Sequence, residues 1–177
     1  MKRDLALWQF GGFVCTVLGG TLLHFVYGWT GNSLLVAPFA AVNESTWEHA
    51  KLLYLPMVAF AAVQRRYFGD DSRFWCIKLR GLLLGIALIP LLFYTWNGAF
   101  GQAPDWLNIT WFFVAAGAAF LVEIRLFRQS AAKHCRRRLA ITVILLVGIL
   151  FAVFSFFPPH LPLFEDPLTA TYGVTRI

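Results

Sequence analysis

Five long apolar runs, separated by polar or charged segments, restrict this chain more tightly than any other feature. They cover residues 5–29, 47–63, 82–96, 107–122 and 139–157. A bilayer's hydrocarbon core is about 30 Å thick and takes roughly 20 helical residues to cross. The composition agrees: 59% of the 177 residues are hydrophobic, 14% are charged, and mean hydropathy is +0.65. So little polar surface could not cover a soluble domain of this size. A β-barrel would need many short alternating segments, and none are visible. The expected fold is all-α: a polytopic membrane protein with five transmembrane helices in one domain over residues 1–177. The first run follows Lys2 and Arg3 as a signal peptide would, but it is longer than a signal peptide's apolar segment. It is read as a retained helix.

Basic residues set the expected topology. With the N-terminus inside, the cytoplasmic segments hold Lys2, Arg3, Arg65, Arg66, Arg73, Lys78, Arg80, Arg125, Arg128, Lys133 and Arg136 to Arg138. Those are 13 of the 15 Lys and Arg residues, leaving Lys51 and Arg176 outside. The positive-inside rule then places the N-terminus in the cytoplasm and the C-terminus outside. Tryptophans near the run ends suit the membrane boundary. A net charge of +6 raises the question of nucleic acid. The basic residues flank the runs, however, which fits orientation and anionic lipid headgroups, and no nucleic-acid module is visible. Of the three cysteines, Cys76 and Cys135 fall on the cytoplasmic side, so no disulfide framework is implied.

The remaining polar residues gather at the outer side. His24 ends the first run, and Asn43-Glu-Ser-Thr-Trp-Glu-His-Ala-Lys51 opens the second. His160, Glu165 and Asp166 lie in the proline-dense segment after the fifth. Ser45 with Glu48 matches a capping box, but capping leaves Glu44, His49 and Lys51 unexplained. A lysine slightly below the interface needs a carboxylate partner or must snorkel outward. Pro56 is expected to kink this helix. Residues 33–42 are too apolar for a free loop and too short for a span, so a re-entrant segment and a surface-lying helix both stand. Proline stiffens the C-terminal segment, which is expected to fold back over the bundle.

Imidazoles and carboxylates are the usual ligands of zinc, and of iron or manganese in carboxylate-rich sites. The candidate metal ligands are His24, His49, His160 and Asp166, with zinc or another divalent metal as cofactor. Glu48 is the candidate acid or base, and Lys51 the stabiliser of developing negative charge. No His-Glu-x-x-His run or Cys-x-x-Cys pair supports this by spacing. Glu123, near the inner end of the fourth run, reads either as an interface ion pair with a nearby arginine or as part of a proton or ion pathway. Gly81 and Gly85 have the small-xxx-small spacing of close helix contacts.

The motif at residues 43–51, His24-Phe-Val-Tyr-Gly-Trp29, Pro158-Pro-His-Leu-Pro-Leu-Phe-Glu-Asp-Pro167 and Thr171-Tyr-Gly173 together carry a resemblance. The chain resembles an uncharacterised family of small multi-span bacterial membrane proteins. That resemblance implies a bacterial cytoplasmic membrane and supplies no activity. Three functions remain open. One is a membrane enzyme with a metal-assisted polar site at the outer face, acting on a lipid-linked or amphipathic substrate. Another is a small-solute or ion binding or transport protein, and the third is a non-catalytic accessory protein.

Overall fold

The computed structural model of the chain describes residues 2–68, 73–129 and 136–174. Five α-helices follow one another: α1 Lys2–Trp29, α2 Thr46–Gln64, α3 Phe74–Phe100, α4 Asp105–Arg128 and α5 Arg137–Phe156. A short 3-10 turn, Pro162–Phe164, follows them. Lys133, His134, Cys135 and Arg176 lie outside the described residues.

Local sequence sets the helix ends. Ser45 is extended (φ −67°, ψ 152°) and its hydroxyl accepts the Glu48 N–H, which starts α2. Only half of the expected capping box forms. The Ser45 N–H donates to Asn43 Oδ1, while the Glu48 carboxylate turns inward. Extended Pro104 precedes α4, which has Asp105 in its first turn and Arg125 and Arg128 in its last, matching the helix dipole.

Neighbouring helices run antiparallel. His24 of α1 meets His49 of α2, while Trp8 at the start of α1 stacks near Phe60 and Tyr67. Lys78 of α3 reaches Glu123 of α4, and Tyr54 of α2 donates to the Ile144 carbonyl of α5. One end of the bundle therefore gathers the arginine-bearing helix termini, and the other gathers His24 and the head of α2. Leu7, Phe10, Leu18 and Leu22 on α1 and Leu145, Leu146 and Ile149 on α5 point outward. Such a surface suits lipid.

The expected count of five spans, with N-terminus inside and C-terminus outside, needs correction. Among the described residues, four helices are long and apolar enough to cross a membrane: Asp4–Trp29, Phe74–Phe100, Asp105–Arg128 and Arg137–Phe156. Among the described residues α2 does not qualify. Its 19 residues include Glu48, His49, Lys51 and Gln64, and ten of them are buried, with contacts to all four other helices. It behaves as an internal helix, with Glu48 and Lys51 at its head served by protein groups. The alternation that assigned the two termini to opposite sides depended on counting α2 as a crossing. Cys76 also departs from expectation, since it is disulfide-bonded.

Residues 31–44 form no surface-lying helix; they fold as successive turns. Ala37 and Ala40 are fully buried against Tyr27, with Val36, Val42 and Phe156 packed around them. The chain beyond α5 turns back as expected. Thr46 Oγ1 donates to the Leu163 carbonyl, and Phe164 packs against Trp47.

Pro56 sits inside a continuous α2, opposite Gly19 of α1. Gly20 permits a close approach to the α2 backbone. A Cβ there would lie 3.0 Å from the Leu52 carbonyl oxygen and 2.6 Å from the Phe112 ring. Gly98 in α3 has nothing within 4 Å of such an atom. Gly20→Ala should therefore destabilise the protein by about 1–3 kcal/mol, because it forces the backbones apart. Gly98→Ala should be neutral or slightly stabilising, as alanine favours helix by about 1 kcal/mol. Thermal unfolding of both variants in detergent checks the contrast.

Candidate metal centre at the head of α2

The site depends first on how α2 begins. Lys51 is fully buried and donates to Glu48 Oε2 at 2.5 Å, Ser155 Oγ at 2.7 Å and the Ala37 carbonyl at 2.8 Å. Its three N–H donors thus have three acceptors. Glu48 Oε2 also accepts the Val42 N–H, and Oε1 accepts the Ser155 hydroxyl. This clamp ties the head of α2 to the 31–44 turns and to the end of α5. A buried ion pair survives only when its remaining polar valences are met in this way.

Beside the clamp, His24, Glu44 and His49 converge. Each offers one ligand atom, and these atoms lie within 4.8 Å of one another. Both imidazole Nε2 atoms are 3.5 Å from Glu44 Oε2. The two rings meet edge to face, 5.3 Å between centroids. His49 Nδ1 lies 2.9 Å from the Ser45 carbonyl oxygen. A carbonyl only accepts, so Nδ1 carries the proton there, and Nε2 is the ring atom turned toward Glu44. His24 close to Glu44 holds that carboxyl below the usual carboxylate range, with help from His49 and against the effect of burial. The three side chains are 29%, 40% and 27% exposed in chain order, so the cluster is reachable from solvent.

Histidine, histidine and glutamate are a zinc-type ligand set that leaves a fourth position open. The protein therefore contains a potential divalent-metal site, in line with the cofactor expectation. Of the residues singled out in the sequence, His24 and His49 come together here. His160 instead packs against Tyr172 with the rings tilted, centroids 4.7 Å apart. Asp166 accepts the Glu44 N–H at 3.4 Å and the N–H groups of Leu168 and Thr169. Neither belongs to the three-ligand group. Glu48 and Lys51 are engaged in the clamp.

Glu44 is the ligand that sequence reasoning left unassigned. Its signal was an acidic residue directly before the α2 cap that capping did not explain. At the other end of the bundle, Glu123 pairs with Lys78, where an arginine was expected.

The fold and this cluster define a multi-span α-helical membrane protein with a potential metal centre at one end of its bundle. The chain belongs to a family of unknown function, DUF6512, whose family model matches residues 2–174. Neither the curated proteins nor the solved structures contain a match.

The clamp makes a direct prediction. Lys51→Met or Glu48→Leu alone should cost about 3–5 kcal/mol, because each strands a buried charge. The double variant should recover much of that loss. Equal additive losses in a double-mutant cycle, read from detergent unfolding, would show that the two charges are not coupled.

Proposed function

We propose that this protein is a membrane enzyme whose divalent-metal centre is held by His24, Glu44 and His49. It would act on a lipid-linked or amphipathic substrate at the outer face of a bacterial cytoplasmic membrane. The observation that carries this reading is the convergence of three ligand atoms from α1, the preceding turns and α2 within 4.8 Å. The Glu44 carboxyl, held below the usual range by His24, supplies the negative charge that a divalent cation needs.

A bound zinc ion would polarise a substrate oxygen or activate water at its open position. The chain's own residues orient and anchor that centre. The Ser45 carbonyl fixes the His49 tautomer and ring angle, as carbonyl partners commonly do for metal-ligating histidines. Asp166 holds the Glu44 backbone, and the Glu48–Lys51 clamp fixes the helix that carries His49. Exposed Phe25, Trp29, Leu35 and Phe39, on the same elements as the ligands, offer apolar contact for a lipid tail. The outer-face placement rests on the arginine-bearing helix termini lying at the opposite end.

Purified wild-type protein should bind one zinc or cobalt ion per chain. His49→Ala and Glu44→Ala should lower metal affinity at least 100-fold, whereas His160→Ala should retain it. Reconstituted into vesicles of bacterial lipid extract, the metal-loaded protein should generate a new lipid product by mass spectrometry, and chelation should abolish it. Folded protein that takes up no metal, or product formation that survives complete metal removal, would overturn the proposal.

A further inference from the structure

A second polar cluster lies within the spanning helices, at the arginine-bearing end of the bundle. Lys78 Nζ of α3 stands 2.5 Å from Glu123 Oε2 of α4 and 3.5 Å from Gln9 Oε1 of α1. Gln9 and Glu123 are fully buried, and Lys78 is 4% exposed. Charges at such a place are expensive, and in membrane helices they usually mark function. The backbone makes room for them at Gly81, where a Cβ would lie 2.6 Å from Glu123 Cγ and 2.7 Å from its Oε1.

Unlike the Lys51 clamp, this cluster is incomplete. Glu123 Oε1 and Gln9 Nε2 have no hydrogen-bond partner among the described residues. The same is true of Thr16 Oγ1 and of both amide atoms of Gln64, two further residues that are fully buried. Native interiors rarely leave such atoms unmet, and an ordered water is the usual remedy. Gln9 and Thr16 are seven residues apart and share one face of α1, about 10 Å along its axis. A small cleft adjoins the ion pair, bounded by Met57, Ala61, Trp75, Leu82 and Ile144. Gln64 is one turn beyond Ala61 on α2.

Charge selects the guest. Lys78 and Glu123 neutralise one another, so an added cation or anion would leave a buried net charge. The orphaned atoms include both donors and acceptors. A neutral molecule that donates and accepts fits them, and the space admits only a small one. That guest is water.

We propose that Lys78, Glu123 and Gln9 form a hydrated proton-exchange site inside the membrane-spanning helices, at the arginine-bearing end of the bundle. One proton passes from Lys78 Nζ to Glu123 Oε2. An N–H bond breaks and an O–H bond forms, converting ammonium and carboxylate to amine and carboxylic acid. Glu123 then gives its proton to a cleft water as that water gives one of its own to Lys78. One O–H bond of the carboxyl and one of the water break, one O–H bond of the water and one N–H bond form, and no hydronium or hydroxide is left. Gln9 faces the pair from α1. From α2 and α5 the cleft is lined by the apolar Met57, Val58, Ala61 and Ile144, and Gln64 of α2 lies one turn beyond. The Phe74 and Phe120 rings flank Lys78 Nζ at 5.7 Å and 5.5 Å, and Arg65 lies over the same Phe74 ring.

Infrared difference spectroscopy of the full chain in lipid nanodiscs, titrated in H2O and D2O, tests this. The wild type should show the C=O band of a buried carboxylic acid that shifts in D2O. Glu123→Gln should lose that band. Because Glu123→Gln strands the Lys78 charge, the Lys78→Met/Glu123→Gln double variant serves as a second folded comparison. It should lack the band too. The site is overturned if the wild type shows no such band, if the band ignores D2O, or if it persists in either folded variant. Failure of the metal centre would leave this result untouched, since His24, Glu44 and His49 lie at the other end.

Discussion

An ammonium group buried at the head of α2 must find three acceptors or lose its charge, and the surrounding chain supplies them. Lys51 draws in Glu48 from its own helix, Ser155 from α5 and the Ala37 carbonyl from the turns that precede α2. Three segments distant in sequence are thereby fixed to one point. In a medium of low dielectric the cost of an unmet charge is large, so this arrangement tolerates little displacement. The 31–44 turns are held down by it, even though Leu35 and Phe39 project from their surface.

The metal cluster inherits its geometry from this anchor. His49 follows Glu48 directly in the chain, and Glu44 is tied from its backbone N–H to Asp166 of the returning tail. The returning C-terminal segment thus acts on the site by holding the element that carries a ligand. Its own histidine, His160, packs on Tyr172.

Two buried lysine–glutamate pairs in one small bundle differ in a way that separates their roles. Around Lys51 every donor is met by protein, which makes a rigid joint. Around Lys78 the partners run out, and Glu123 Oε1 and Gln9 Nε2 are left over. Complete satisfaction serves architecture, whereas incomplete satisfaction leaves places for water and mobile protons.

Hydropathy alone determined that this chain forms long apolar helices, because lipid-facing residues advertise themselves without reference to any neighbour. It also placed His24 and His49 near one end, since depth follows from position along a helix. Tertiary structure decided the rest. Whether α2 crosses as an apolar rod or sits inside the bundle depends on which groups surround Glu48 and Lys51, and those come largely from distant segments, the 31–44 turns and the end of α5. That Glu44 joins the histidines, and that Lys78 rather than an arginine meets Glu123, likewise depended on rotation about helix axes. A sequence records how far along a helix a residue lies, but packing between helices sets the direction in which it points.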